Sequence, residues 1–185
     1  MSLVAPIESS TTKPDQLDAL AEIKQSWGRA PNLGAVLALS LPLTRAVLAF
    51  DAALSQGVFS GAVAEQLAIA VSQENRCAYC LAAHSAAGRA YGLQADDIAA
   101  ARTAQASDPK TAAALRFAQQ LVRMRAQVDA GELGAVRAAG WHDADIVEIV
   151  GHALSTTLSN YLHLSSDVPI DYPVVAFASD GAATA

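Results

Sequence analysis

A chain of 185 residues, 52% hydrophobic and 16% charged, fits one domain and is long enough to bury a core without disulfide or metal staples. Its net charge of −6 argues against nucleic acid as a partner, because phosphate binding needs a basic stripe. Arg116, Arg123 and Arg125 form the densest basic group and read as the solvated edge of a helix. Positive mean hydropathy with few charges points to apolar surface covered by another subunit.

Residues 1–14 carry turn chemistry and no periodicity, so a loose lead-in is expected there, followed by one helical domain over 15–175 and a frayed tail over 176–185. The opening MSLVAPIESSTTKPD has no basic start with an apolar core and cleavage site behind it, and a cytoplasmic location is expected. Leu17, Leu20, Ile23 and Trp27 recur at helical spacing, and Gly28 ends that helix. A turn at Arg29 to Asn32 leads through a short apolar piece to a helix with Pro42 in its first turn, closing at Gly57. Ser60 is the expected N-cap of a helix to about Gln73 that is apolar nearly all round and therefore central. Glu65 is its one early charge. A polar break at Glu74, Asn75 and Arg76 precedes a helix from Cys77 to Tyr91, stopped by Gly92.

Beyond that hairpin the pattern gives a helix from Asp96 to Ala104. A break at Ser107 with Asp108 as cap follows, then a long helix from Pro109 to Gln127. A short helix spans Gly131 to Gly140, and Asp143 is read as the cap of a last helix from Ala144 to about His163 with a broad apolar stripe. Its charge-free stretch from Ile149 to Ser166 contains His152, Asn160 and His163, which suits a buried or interface helix and not a membrane span. Alternating strand runs are missing, so the reading is all-α.

The chemistry-bearing stretch is EQLAIAVSQENRCAYCLAAH, with the chain's two cysteines, Cys77 and Cys80. At about 100° per residue, Cys77, Cys80 and His84 fall within one narrow helix face. A thiol acts as a nucleophile when it becomes thiolate, and its pKa falls at a helix N-terminus or beside a base. Cys77 sits where the helix begins, and Cys80 lies one turn from His84. The imidazole favours Cys80 as the attacking thiolate, with Cys77 resolving it, because an imidazole shuttles protons repeatedly. Cys80 would then cleave an O–O bond to give a sulfenic acid, Cys77 would condense with it to a disulfide, and an external dithiol would reset the pair. Glu65 would hold or pass a proton through His84. Zinc is the competing use of two Cys and a His, but structural zinc sites draw four ligands from two segments. No metal and no cofactor is expected. His142, His152 and His163 are read first as structural residues.

Glu65, Cys77, Cys80 and His84 at these intervals resemble the AhpD-like alkylhydroperoxidases of the carboxymuconolactone decarboxylase superfamily, in particular the peroxidase-related branch with a Cys-x-Tyr-Cys core. Pro31-Asn32, the Gly57 turn, Tyr91-Gly92-Leu93, Asn160 and Asp171-Tyr172-Pro173 are similar too. The resemblance covers roughly residues 15 to 175. It implies an AhpD-like helical bundle built around the cysteine hairpin, assembly into a homo-oligomer (trimer or hexamer), and reduction of organic hydroperoxides or hydrogen peroxide by Cys80, Cys77, His84 and Glu65. The best-known members carry a histidine just before the second cysteine, where this chain has Tyr79, which does not relay protons the same way near neutral pH. The alternatives are a disulfide reductase serving a partner peroxiredoxin, or a non-redox member of the superfamily.

Overall fold

The computed structural model describes residues 4–7, 12–166 and 168–179. Half of the expected lead-in (residues 1–3 and 8–11) and residues 180–185 of the expected frayed end lie outside the described residues. Nine helices and no strand occur among those residues: α1 Pro14–Trp27, α2 Asn32–Leu37, α3 Leu41–Leu54, α4 Gly61–Glu74, α5 Ala78–Ala90, α6 Ala95–Arg102, α7 Pro109–Arg123, α8 Ala130–Ala138 and α9 Asp143–Ser166.

Helix α4 is the axis of the bundle, packed against α5, α6, α7 and α9. Its residues from Gln66 to Gln73 are all buried, as its nearly continuous apolar sequence requires. The main core gathers Leu67, Ile69 and Val71 of α4 with Leu115 and Phe117 of α7 and Ile149 of α9. A second cluster joins α1 to α3 through Ala19, Ile23 and Val47. A third surrounds the cysteines with Leu33, Val36, Tyr79 and Val168.

Several boundaries differ from the sequence reading. The apolar piece after Pro31 is a six-residue helix, α2, too short for periodicity to separate from a loop. Helix α7 stops at Arg123, and Arg125 and Ala126 adopt positive φ beyond it. Ser60 is the N-cap residue of α4, but its side chain makes no capping bond. Asp143 opens α9 as a helical residue, because its carboxylate is taken by Arg137 at 2.8 Å. Asp145 meets the His142 amide instead, at 2.8 Å. Asp108 caps α7 as expected, accepting from the Thr111 amide at 2.9 Å.

The link between α4 and α5 is a helix stop and a helix start sharing one residue. Cys77 N–H bonds the Ser72 carbonyl at 3.0 Å and Arg76 N–H bonds the Gln73 carbonyl at 3.1 Å, the two bonds of a Schellman ending. Arg76 takes the left-handed position, φ 55°, although it is not glycine. Cys77 is in turn the N-cap of α5, its sulfur accepting from the Cys80 amide at 3.3 Å. Farther along, Gly88 lets α5 lie close to α4: a Cβ there would stand 3.6 Å from the Glu65 Cβ and 2.8 Å from Leu93 Cδ1.

After α9 the chain runs extended across the face that holds the cysteines. Asp171 meets the Arg29 guanidinium and accepts from the Asn32 amide and the Tyr79 hydroxyl. Phe177 lies under Arg76, 4.5 Å from guanidinium carbon to ring centre.

Candidate active site

The hairpin brings together the four residues picked out in the sequence. From α4, Glu65 Oε2 reaches His84 Nδ1 on α5 at 2.9 Å. The pair is only partly shielded, with His84 30% and Glu65 18% exposed. Burial alone would push His84 down, but the Glu65 carboxylate bonds it and opposes its loss of charge, with Cys77 and Asp51 adding to the effect, so its pKa is raised. The two sulfurs meet at the first turn of α5 and are buried, Cys77 at 0% and Cys80 at 2% exposure.

The environments of the two thiols are unequal. The Cys80 side chain donates to Cys77, the Cys80 amide points at the same sulfur, and His163 stands beside it. Against the opposing effect of burial, these bring Cys77 down to about 5. Cys80 is pushed up, first because its proton is held by the Cys77 sulfur and second by burial. Of the two sulfurs Cys77 is the more acidic, because the Cys80 amide and side chain both point at it where α5 begins.

The imidazole that touches a sulfur is one the sequence reading set aside as structural. His163 of α9 places Nδ1 3.7 Å from Cys77 Sγ and Nε2 3.1 Å from the Val168 carbonyl. Its ring stacks on Tyr79 with centroids 4.9 Å apart. Tyr79 is itself pinned, its hydroxyl accepting from the Leu33 amide at 3.1 Å and donating to Asp171 at 2.7 Å. Burial raises the Tyr79 pKa, so the phenol stays neutral. Asn160, fully buried, bonds Asn75 at 2.8 Å and Ser72 at 3.3 Å, tying α9 to the end of α4 beside Cys80. In the sequence His163 shows only as a residue on the apolar face of α9, about one turn beyond Asn160, which does not distinguish it from a core histidine.

On the other side of His84 lies Asp51 of α3, whose carboxylate accepts from Ser155 at 2.6 Å. Burial raises its pKa, and the charges of His84, His152 and Glu65 act on it. No group of three or more His, Cys, Asp or Glu side chains is arranged to hold a metal ion among the described residues, and no described helix is long and apolar enough to cross a membrane.

The all-helical bundle matches the AhpD-like fold. Residues 42–122 match the model of the carboxymuconolactone decarboxylase family, and the fold is that of an alkylhydroperoxidase AhpD core.

Among solved structures it is similar to an uncharacterized peroxidase-related protein with an alkylhydroperoxidase AhpD core from Ralstonia eutropha JMP134. The identity is 26%, 92% of each chain is covered, and the TM-score is 0.75. A peroxidase-related protein from Silicibacter sp. TM1040 shares 20% identity over 93% of this chain and 92% of its own, TM-score 0.74. The debrominase Bmp8, as a Cys-to-Ala variant with 2,3,4-tribromopyrrole, shares the fold at 20% identity over 92% of each chain, TM-score 0.72. No curated protein matches the sequence.

Proposed function

We propose that the protein is a thiol-dependent peroxidase acting on hydrogen peroxide or organic hydroperoxides. The observation that carries this reading is the pair of adjoining sulfurs where α5 begins, with the Cys77 pKa lowered, on the same hairpin as a partly open Glu65–His84 pair able to deliver a proton. The roles of the cysteines are exchanged relative to the expectation from sequence. Cys77 is the attacking group because the amide, the neighbouring thiol and His163 all converge on its sulfur, whereas His84 is engaged by Glu65.

In this cycle the Cys77 thiolate attacks one oxygen of the O–O bond and the alkoxide or hydroxide leaves with a proton from His84. Cys77 becomes a sulfenic acid. The Cys80 thiol then attacks that sulfur, water departs, and a Cys77–Cys80 disulfide remains. A dithiol returns both thiols by exchange and is itself oxidised to a disulfide. The burial of both sulfurs favours a small oxidant over a bulky protein disulfide, and so favours peroxide reduction over service to a partner peroxiredoxin.

The same reading includes self-association. Helix α9 exposes Val147, Leu154 and Tyr161 at 69%, 59% and 61%, one apolar line at heptad spacing. Between α9 and α3 runs an apolar groove of about 570 Å³ lined by Val47, Phe50, Leu154, Leu158, Tyr161 and Leu162.

Free thiols counted before and after one equivalent of peroxide test the function. Loss of both thiols with a Cys77–Cys80 disulfide located by mass spectrometry is expected, and Cys80→Ser should trap a sulfenic acid on Cys77. Two thiols surviving excess peroxide at neutral pH would end the peroxidase reading. A sulfenic acid trapped only on Cys80, in Cys77→Ser, would restore the roles first expected.

A further inference from the structure

The mechanism so far gives His84 its proton-delivering role and assigns no proton transfer to the second imidazole, His163, beside Cys77. His163 lies 86 positions after Cys77, on another helix, yet its ring is fixed from three sides. Nε2 faces the Val168 carbonyl at 3.1 Å. A carbonyl accepts only, so Nε2 carries a hydrogen whatever the charge of the ring. Nδ1 is then the nitrogen that faces Cys77 Sγ, at 3.7 Å. One ring face stacks on Tyr79, which is held by Leu33 and Asp171. The residue is 8% exposed. A nucleophile, a base in contact with it and a third group fixing the base's tautomer make up the general pattern of an activated nucleophile.

We propose that His163 is a catalytic residue of this site, taking the Cys77 thiol proton on Nδ1 and holding the resulting thiolate as an ion pair. The proton moves from Sγ to Nδ1 and no electron is transferred. Two imidazoles then divide the work from opposite sides: His163 generates the nucleophile, and His84, backed by Glu65, protonates the leaving oxygen. This assignment rests on the reading of Cys77 as the attacking thiolate but not on what it attacks.

Among the described residues, the other charged or titratable groups around the pair do not offer a rival base. From α5 come Cys80, whose proton points at Cys77, and Tyr79, whose hydroxyl is turned to Asp171. His84 acts on Cys77 through its charge while its Nδ1 is held by Glu65 of α4. From the C-terminal segment come Asp171, engaged with Arg29 and Tyr79, and Tyr172, packed edge-on against Tyr79. Helix α2 contributes Leu33 and Val36, which do not titrate, and α9 contributes Asn160 besides His163.

The test needs no peroxide. In a Cys80→Ser background, which keeps a hydroxyl donor near the sulfur, the ultraviolet absorbance of the Cys77 thiolate is followed against pH. Adding His163→Phe, which keeps a ring for Tyr79 to stack on, should raise the midpoint by one unit or more, a tenfold or larger loss of thiolate at a given acidic pH. His163→Gln should recover part of that shift, because its amide can donate to the thiolate. An unchanged midpoint in a folded His163→Phe protein overturns the proposal. If that variant does not fold, the ring nitrogens of His163 are read by NMR in the wild-type chain. Nδ1 should be protonated with the thiols reduced and lose its proton once Cys77 is alkylated to a neutral thioether with methyl iodide. A ring indifferent to that modification overturns the proposal equally. A shifted thiol in a protein that leaves peroxide intact would support the role of His163 and reject the peroxidase reading alone.

Discussion

Glu65 and Cys77 set opposite pH dependences on the folded chain. His84 has a folded pKa above its ordinary 6.5, so its contribution to stability is complete below about that pH and is lost as pH rises through the folded value. Glu65→Gln should flatten this fall, measured by urea denaturation at several pH values, and lower the His84 midpoint seen by NMR. Cys77 has a folded pKa of about 5 against an ordinary 9.0, so its contribution grows between those values and disappears on acidification through 5. Tyr79→Phe keeps the ring against His163 but strands the buried Leu33 amide. A loss of about 1–3 kcal/mol is expected in denaturant melts, with little movement of the thiolate midpoint. Glu65, Cys77, Cys80 and His84 were legible because their intervals are local, within twenty residues and two helices. His163 was not, because its distance from Cys77 exists only after α9 has packed beside α5.

Helix boundaries follow the same division between local and tertiary causes. Asp108 was readable as a cap because a carboxylate three residues ahead of Thr111 meets its amide without help from elsewhere. Asp108→Ala should cost about 1 kcal/mol. Asp143 was misread because Arg137, brought near by the turn from α8, competes for its carboxylate. Tertiary demand also explains Gly88, inside the last turn of α5, where helix propensity disfavours it. Gly88→Ala must displace the Leu93 side chain and crowd Glu65, so a loss of about 1–3 kcal/mol is expected from overpacking. The effect on His84 protonation separates this variant from a simple destabilisation, because the α4–α5 spacing fixes the 2.9 Å contact.

Across the whole molecule, a charge-poor composition led to the expectation of apolar surface covered by another subunit, and the surface on which the proposed self-association would be built is the exposed apolar side chains along α9 and the facing side of α3. A charge at its centre should dissociate an assembly built there: Leu154→Glu is expected to sediment as a smaller species than the parent chain while keeping its helical content. The C-terminal segment plays a different part, joining Asp171, Tyr79 and Val168 around the cysteines, and periodicity could not show it because an extended strap has no helical pattern.

Cys77 serves as the last bond of one helix and the first of the next, and this dual use ties redox state to architecture. A sulfur drawn into a disulfide is a far poorer acceptor than a thiolate, so the Cys80 amide would lose its partner and the opening turn of α5 would fray. Tyr79 rides on that turn and anchors the strap through Asp171. Oxidation is thus expected to loosen the cover over the sulfurs, admitting the reductant just when the disulfide needs it. Faster deuterium uptake at Cys80 and at residues 168–173 in the oxidised chain would register the change.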